Sequence, residues 1–170
     1  GSKGGHAAAG YIVKHLAEFG LATAGEASYF QPFNKKYENC RNIIALLPGK
    51  HPKLQHEIVA IGAHYDHVGY GQGKNRGPVH NGADDIASGT ATVLELARYF
   101  SKPRNKPDRS LMFCFWDSEE QGLIGSKYWV EQPTVELSRI VFKVNIDMIG
   151  RLDGETLEVQ GHRSGHGIKE

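Results

Sequence analysis

The chain is poor in the features that mark specialised proteins, and each shortage excludes something. It has two cysteines, Cys40 beside a polar turn and Cys114 within an apolar run, too few for a disulfide framework, and both are expected outside any disulfide. That leaves the redox compartment open. No apolar run approaches the roughly 18 residues of a membrane-spanning helix, so no membrane role is expected. The opening GSKGGHAAAG lacks the apolar stretch of a secretory signal, which, if it exists, would lie upstream. Charge of one sign is also missing: 20 Lys and Arg face 19 Asp and Glu, for a formal net charge of +1. Neither nucleic acid nor an anionic membrane surface is an expected partner of such a chain. Repeats and low-complexity segments are absent.

What is present is the composition of a globular domain. With 170 residues, 39% of them hydrophobic, the chain can bury a core without staples and is expected to form a single domain over residues 1–170. Ala8, Tyr11, Ile12, His15, Leu16 and Phe19 follow helical spacing and predict a helix over about 5–19, stopped by Gly20. Segments 27–33, 41–47 and 57–63 predict strands, with a Pro48-Gly49 turn after the second. Residues 68–83 are glycine-rich without period and predict a loop. A second helix is expected over 88–100, capped by Ser88 or Asp85, then a surface connection through 102–109. Strands at 110–116 and 140–146 flank a helix at about 123–131, which ends before Pro133. Runs such as IVAIGA and LMFCFW are apolar on both faces, as in central strands covered by helices on each side. The expected fold class is α/β, a three-layer α/β/α sandwich around a mostly parallel mixed sheet.

The polar residues of interest fall at the ends of those strands or just beyond, where open α/β sheets bind ligands. They are His64 and Asp66 in GAHYDHVG, Asp84 in NGADDIASG, Glu119 and Glu120 in FWDSEEQGLIGS, and Asp147 in NIDMIG. Taken singly, several have a structural alternative, an N-cap for Asp84 and Asp85 and surface charge for the adjacent glutamates, whereas Asp147 at the end of an apolar strand is costly unpaired. Taken together, carboxylates this close to apolar strands, with few Lys or Arg nearby, call for a compensating cation. Oxygen-rich coordination with one or two imidazoles suits Zn(II), or Mn(II) and Co(II) in its place. Several carboxylates suggest a two-metal centre with one bridging aspartate, for which hydrolysis is the natural chemistry. Asp66, two residues beyond His64, can orient its ring. Of the paired glutamates, one can bind metal while the other acts as general base.

The four ordered segments resemble the motifs of the co-catalytic di-zinc aminopeptidases, the family that also holds glutamate carboxypeptidases and glutaminyl cyclases. The resemblance runs through essentially the whole chain. It implies an exopeptidase acting on peptide substrates with two zinc ions, a zinc-exopeptidase-like fold, His64 and Asp147 on one zinc, Glu120 on the other and Asp84 bridging. It further implies Glu119 as general base, Asp66 as the partner of His64, and a cis peptide bond at Asp84–Asp85. The family's fifth ligand is a histidine well beyond the aspartate motif. His162 and His166 come too early to match it, so the chain is expected to lack its C-terminal portion. Alternatives carried with this expectation are a glutaminyl-cyclase-like acyl transferase using one zinc and a metal-poor binding domain. Oligomeric state and location stay open, with a secreted or periplasmic full-length protein as one expectation.

Overall fold

The computed structural model describes residues 2–70, 79–152, 154 and 158–161. Helix α1 (Lys3–Glu18) opens the chain, with the Ser2 hydroxyl accepting from Gly5 N–H as its N-cap. Three strands follow, β1 (Ala22–Thr23), β2 (Phe30–Phe33) and β3 (Cys40–Leu47), then β4 (Ile58–His64). An irregular helical turn, Ala83–Ser88, leads into α2 (Gly89–Ser101). Strand β5 (Ser110–Trp116), helix α3 (Ile124–Glu131) and strand β6 (Ile140–Asn145) complete the order. Among the described residues no helix is long and apolar enough to cross a membrane.

The strands form one mixed sheet in the order β1-β3-β5-β4-β6, with β2 also paired to β3. Strands β1, β2 and β5 run antiparallel to β3, whereas β5, β4 and β6 are mutually parallel. Strand β5 is central and buried along its full length, so its side chains alternate between two apolar layers as the two-residue period requires. Leu111, Phe113 and Phe115 join Ile12 and Leu16 of α1 and Val93 and Ala97 of α2 on one face. Met112, Cys114 and Trp116 meet Trp129 of α3 on the other. This is the three-layer α/β/α arrangement that the doubly apolar runs predict.

Most elements lie within one to three residues of their expected bounds. The two short strands near residues 22–33 differ more, because β1 is only two residues long and β2 begins at Phe30, after a turn closed by Gly25 N–H on Ser28 O at 2.9 Å. Of the two expected caps of α2, Ser88 holds the N-cap position, but its side chain makes no capping bond; its hydroxyl instead donates to Asp84 O at 2.6 Å and accepts from Ile149 N–H at 3.1 Å. Part of the expected 68–83 loop, residues 71–78, lies outside the described residues, as do His162 and His166.

Candidate active site

The parallel register pairs His64 with Trp116, so the loops after β4 and β5 leave the sheet side by side. Loop 65–67 and turn 117–120 therefore meet above the carboxyl ends of the strands. A third segment arrives from β6, where Ile146 N–H extends the pairing onto Gly62 O at 2.8 Å and delivers Asp147 just beyond. The fourth comes from the start of α2. Gly89 is needed there because a Cβ would sit 2.5 Å from Ile146 O, so the helix start lies directly against the β6 exit.

His64 is the buried centre of the site, its side chain 2% exposed. Its Nδ1 has Asp66 O at 3.1 Å and Asp66 Oδ1 at 3.5 Å, the carbonyl being the nearer. Both are acceptors, so Nδ1 carries the proton and Nε2 of the neutral ring is left with a lone pair. That lone pair faces three more acceptors: Asp85 Oδ1 at 3.3 Å, Glu119 Oε2 at 3.7 Å and Asp147 Oδ1 at 3.8 Å. Such a convergence needs either a proton or a cation between the groups. Burial opposes the charged ring, yet the hydrogen bond and charge of Asp66, with Glu119 and Asp147, outweigh it and push His64 up to about 9. Partial burial, reinforced by Asp66, Glu120 and Asp147 and opposed by His64, raises the Glu119 carboxyl above its ordinary range.

Asp66 also ties the loops together. Its Oδ1 accepts from Glu119 N–H at 2.9 Å and its Oδ2 from Glu120 N–H at 3.3 Å. The turn carrying these glutamates is formed by Ser118 at a positive φ of 59° and closed by Gly122 and Leu123 N–H on Glu119 O, both at 2.8 Å. Beneath it, buried Asp117 accepts from Arg41 N–H at 2.9 Å and from the Tyr65 hydroxyl at 3.3 Å. Burial, then Asp117, pushes the Tyr65 hydroxyl strongly up, so it remains a donor.

The structure separates the adjacent aspartates 84 and 85. Asp84 turns away: its Oδ1 accepts from Gly150 N–H at 2.7 Å. Asp85 points at His64, and buried Ile86 anchors the segment in the α1–α2 core. The cis peptide lies at Asp85–Ile86, one residue later than the resemblance implies. Two three-residue sets have donor atoms within 4.8 Å of one another, His64 with Asp85 and Asp147, and His67 with Asp85 and Glu120. Expected residues His64, Glu120 and Asp147 are thus brought together, with Asp66 and Glu119 directly beside them, whereas Asp84 is not. Asp147 is also more exposed, at 44%, than its apolar flanks suggest. The clustered side chains that the sequence reading did not single out as ligands are Asp85 and His67. Neighbouring side chains project differently, so one of two adjacent aspartates faces the site, and sequence spacing alone did not say which. For His67 the available signal was its place three residues after His64 in HYDH.

Among the described residues no Lys or Arg makes an ion pair with Asp66, Asp85, Glu119, Glu120 or Asp147. A cavity of about 460 Å³ adjoins the Asp66–His67 side, bordered by Tyr37, Tyr65, Asp117 and Gln121. A second, of about 350 Å³, lies on the α3 face beside Trp116 and Trp129, remote from the carboxylates.

Leupeptin-inactivating enzyme 1 of Streptomyces exfoliatus is 36% identical to this chain over 152 residues, which are 88% of the chain and 32% of that protein. The chain therefore spans about a third of that relative's length. The solved structure of BSAP, a zinc aminopeptidase from Bacillus subtilis, matches with a TM-score of 0.53 at 35% identity, over 68% of this chain and 26% of that one. That of a Bacteroides thetaiotaomicron glutaminyl cyclase bound to N-acetylhistamine matches with a TM-score of 0.67 at 25% identity, over 88% and 55%. The family description Peptidase family M28 matches residues 42–170, which include every one of the clustered side chains, and the chain belongs to that family.

Proposed function

We propose that the chain carries the catalytic core of a zinc-dependent exopeptidase, acting as an aminopeptidase on peptide substrates around a two-ion centre. The observation that carries this reading is the pair of three-donor sets sharing Asp85, with Glu119 beside them. The donors fit the ion: imidazole nitrogen and carboxylate oxygen converge without a cationic side chain, a combination suited to zinc. Membership of the peptidase family and the likeness to a zinc aminopeptidase support it.

In this reading His64, Asp85 and Asp147 would hold one ion and Asp85 with Glu120 the other, so the shared place that the sequence resemblance gave to Asp84 would fall to Asp85. When bound, the ions acidify a water and polarise a carbonyl oxygen. The residues do the rest. Glu119, whose Oε2 lies 3.7 Å from His64 Nε2 beside the donor sets, accepts the proton of the attacking water on its carboxylate and returns it to the departing amine. Asp66 fixes the His64 tautomer and, through the two backbone N–H groups, the position of Glu119.

Replacing Glu119 with Gln tests the assignment in the full-length protein. Hydrolysis of amino-acid anilides should fall by at least about 100-fold while zinc content stays unchanged. Normal turnover in that variant would remove Glu119 from the mechanism. Cyclisation of glutaminyl peptides without anilide hydrolysis would instead transfer the protein to the acyl-transfer branch, and a chain that retains no zinc would make it a metal-poor domain.

A further inference from the structure

We propose that Asn42, a β3 residue outside the cleft, is a positioning residue for the general base, acting through the backbone of the segment that carries Glu119. The inference rests on the exopeptidase reading above and adds a residue to it.

Main-chain pairing of β5 with β3 ends where Phe115 lies opposite Ile43. Beyond that point the chain makes an excursion, residues 117–125, and closes it at the neck. There Gly125 N–H donates to Asp117 O at 3.0 Å and Ile124 N–H to Ser118 O at 3.1 Å. Glu119 and Glu120 belong to the enclosed stretch. The other two polar groups of the neck, Asp117 N–H and Gly125 O, are both taken by one side chain. Asn42 Oδ1 accepts from Asp117 N–H at 3.2 Å, and Nδ2 donates to Gly125 O at 2.8 Å. A primary amide carries the donor and acceptor of a peptide unit, so Asn42 continues with its side chain the pairing that the β3 backbone has given up.

The amide fits in one orientation. Its Nδ2 also donates to Gln31 Oε1 at 2.9 Å, so half a turn about the amide would set donor against donor at Asp117 and oxygen against oxygen at Gly125 and Gln31. There is no slack around it either. Asn42 is fully buried, and a Cβ on Gly125 would come within 2.4 Å of its Oδ1 and 2.2 Å of Asp117 O. A shift of the amide is therefore passed to both ends of the excursion at once, and through them to the carboxylate of Glu119.

Gln31 separates this role from plain packing. It lies opposite Asn42 in the strand register and is as deeply buried, and its Nε2 donates to Gln132 O, beyond the far end of α3, at 2.6 Å. Its side chain thus shares the network without bonding the neck.

The test compares Asn42→Ala with Gln31→Leu in the full-length protein at saturating zinc, assayed for anilide hydrolysis below the onset of unfolding. Each substitution leaves buried polar groups unpaired, so both should lower the urea midpoint. Asn42→Ala should in addition lower kcat by about 10–100-fold with KM within about two-fold, because a group that only places the base is felt in the reaction step. Gln31→Leu should keep kcat within about two-fold. Asn42→Ser, which retains a hydroxyl and leaves room for a water, should lie between Asn42→Ala and the unsubstituted protein, and takes its place in the comparison should Asn42→Ala not fold. An unchanged kcat in the folded Asn42 variant, or an equal loss of kcat in Gln31→Leu, would overturn the inference while leaving the exopeptidase reading intact. An unsubstituted protein that hydrolyses no anilide would remove that reading, and this inference with it.

Discussion

Exchanging Asp84 and Asp85 for Asn, one at a time, sets two adjacent carboxylates against each other. The Asp84 carboxylate serves a single hydrogen bond from Gly150 N–H, and an Asn amide oxygen still accepts it. The loss is the difference between a charged and a neutral acceptor, about 1 kcal/mol of fold stability, with zinc binding nearly unchanged. Asp85 belongs to both donor sets, so Asp85→Asn withdraws a negative charge and a strong donor from each. Removing mere hydrogen-bonding partners of ligands costs 10–100-fold in affinity, so losing this donor should cost at least about 100-fold per ion, about 2.8 kcal/mol. Competition of each variant against a zinc chelator of known affinity reads this directly. Zinc retained by Asp85→Asn but lost from Asp84→Asn would refute the structural assignment and return the bridge to Asp84.

Three further outcomes follow from the core. Burial pushes the Cys114 thiol up to about 12, so at pH 8 roughly one molecule in 10⁴ carries the thiolate, and native-state alkylation should leave Cys114 unmodified by mass spectrometry until denaturant is added. Phe113 is fully buried between the sheet and α1–α2; Phe113→Ala should cost about 3–5 kcal/mol in urea unfolding, and a loss under 1 kcal/mol would mean that face is loosely packed. A Cβ on Gly62 would lie 2.9 Å from Trp116 Nε1 and 3.3 Å from Cys114 O, so Gly62→Ala should cost about 1–3 kcal/mol and shift the tryptophan fluorescence.

The layered fold was legible because burial wrote itself into composition. A strand such as SLMFCFW, apolar at every position, has only the middle of a sheet to occupy, and the 3.6-residue spacing of α1 and α2 marks their inner faces. The short strands at 22–33 were harder, since a two-residue pairing carries no period and depends on where β3 lies. At the site, ligand-bearing segments could be named from their positions after strands. Which of two neighbouring aspartates turns inward could not, because that choice is made by Gly82, by Ile86 seeking the core and by Gly150 N–H capturing Asp84. Nothing in the sequence beyond its closeness to His64 marks His67, because its companions, Gly82 and Glu120, come from other segments and meet it only in three dimensions.

Asp66 gives the site a further property. By gripping the amides of residues 53 and 54 positions away, one side chain makes the order of the Glu119–Glu120 turn and the orientation of the His64 ring a single variable. Whatever occupies the cleft must then stiffen both loops together, and by reciprocity any substitution that loosens residues 117–123 is felt as weaker occupancy at the far loop, without disturbing one rung of the sheet. Affinity can be retuned from a distance, through rigidity alone.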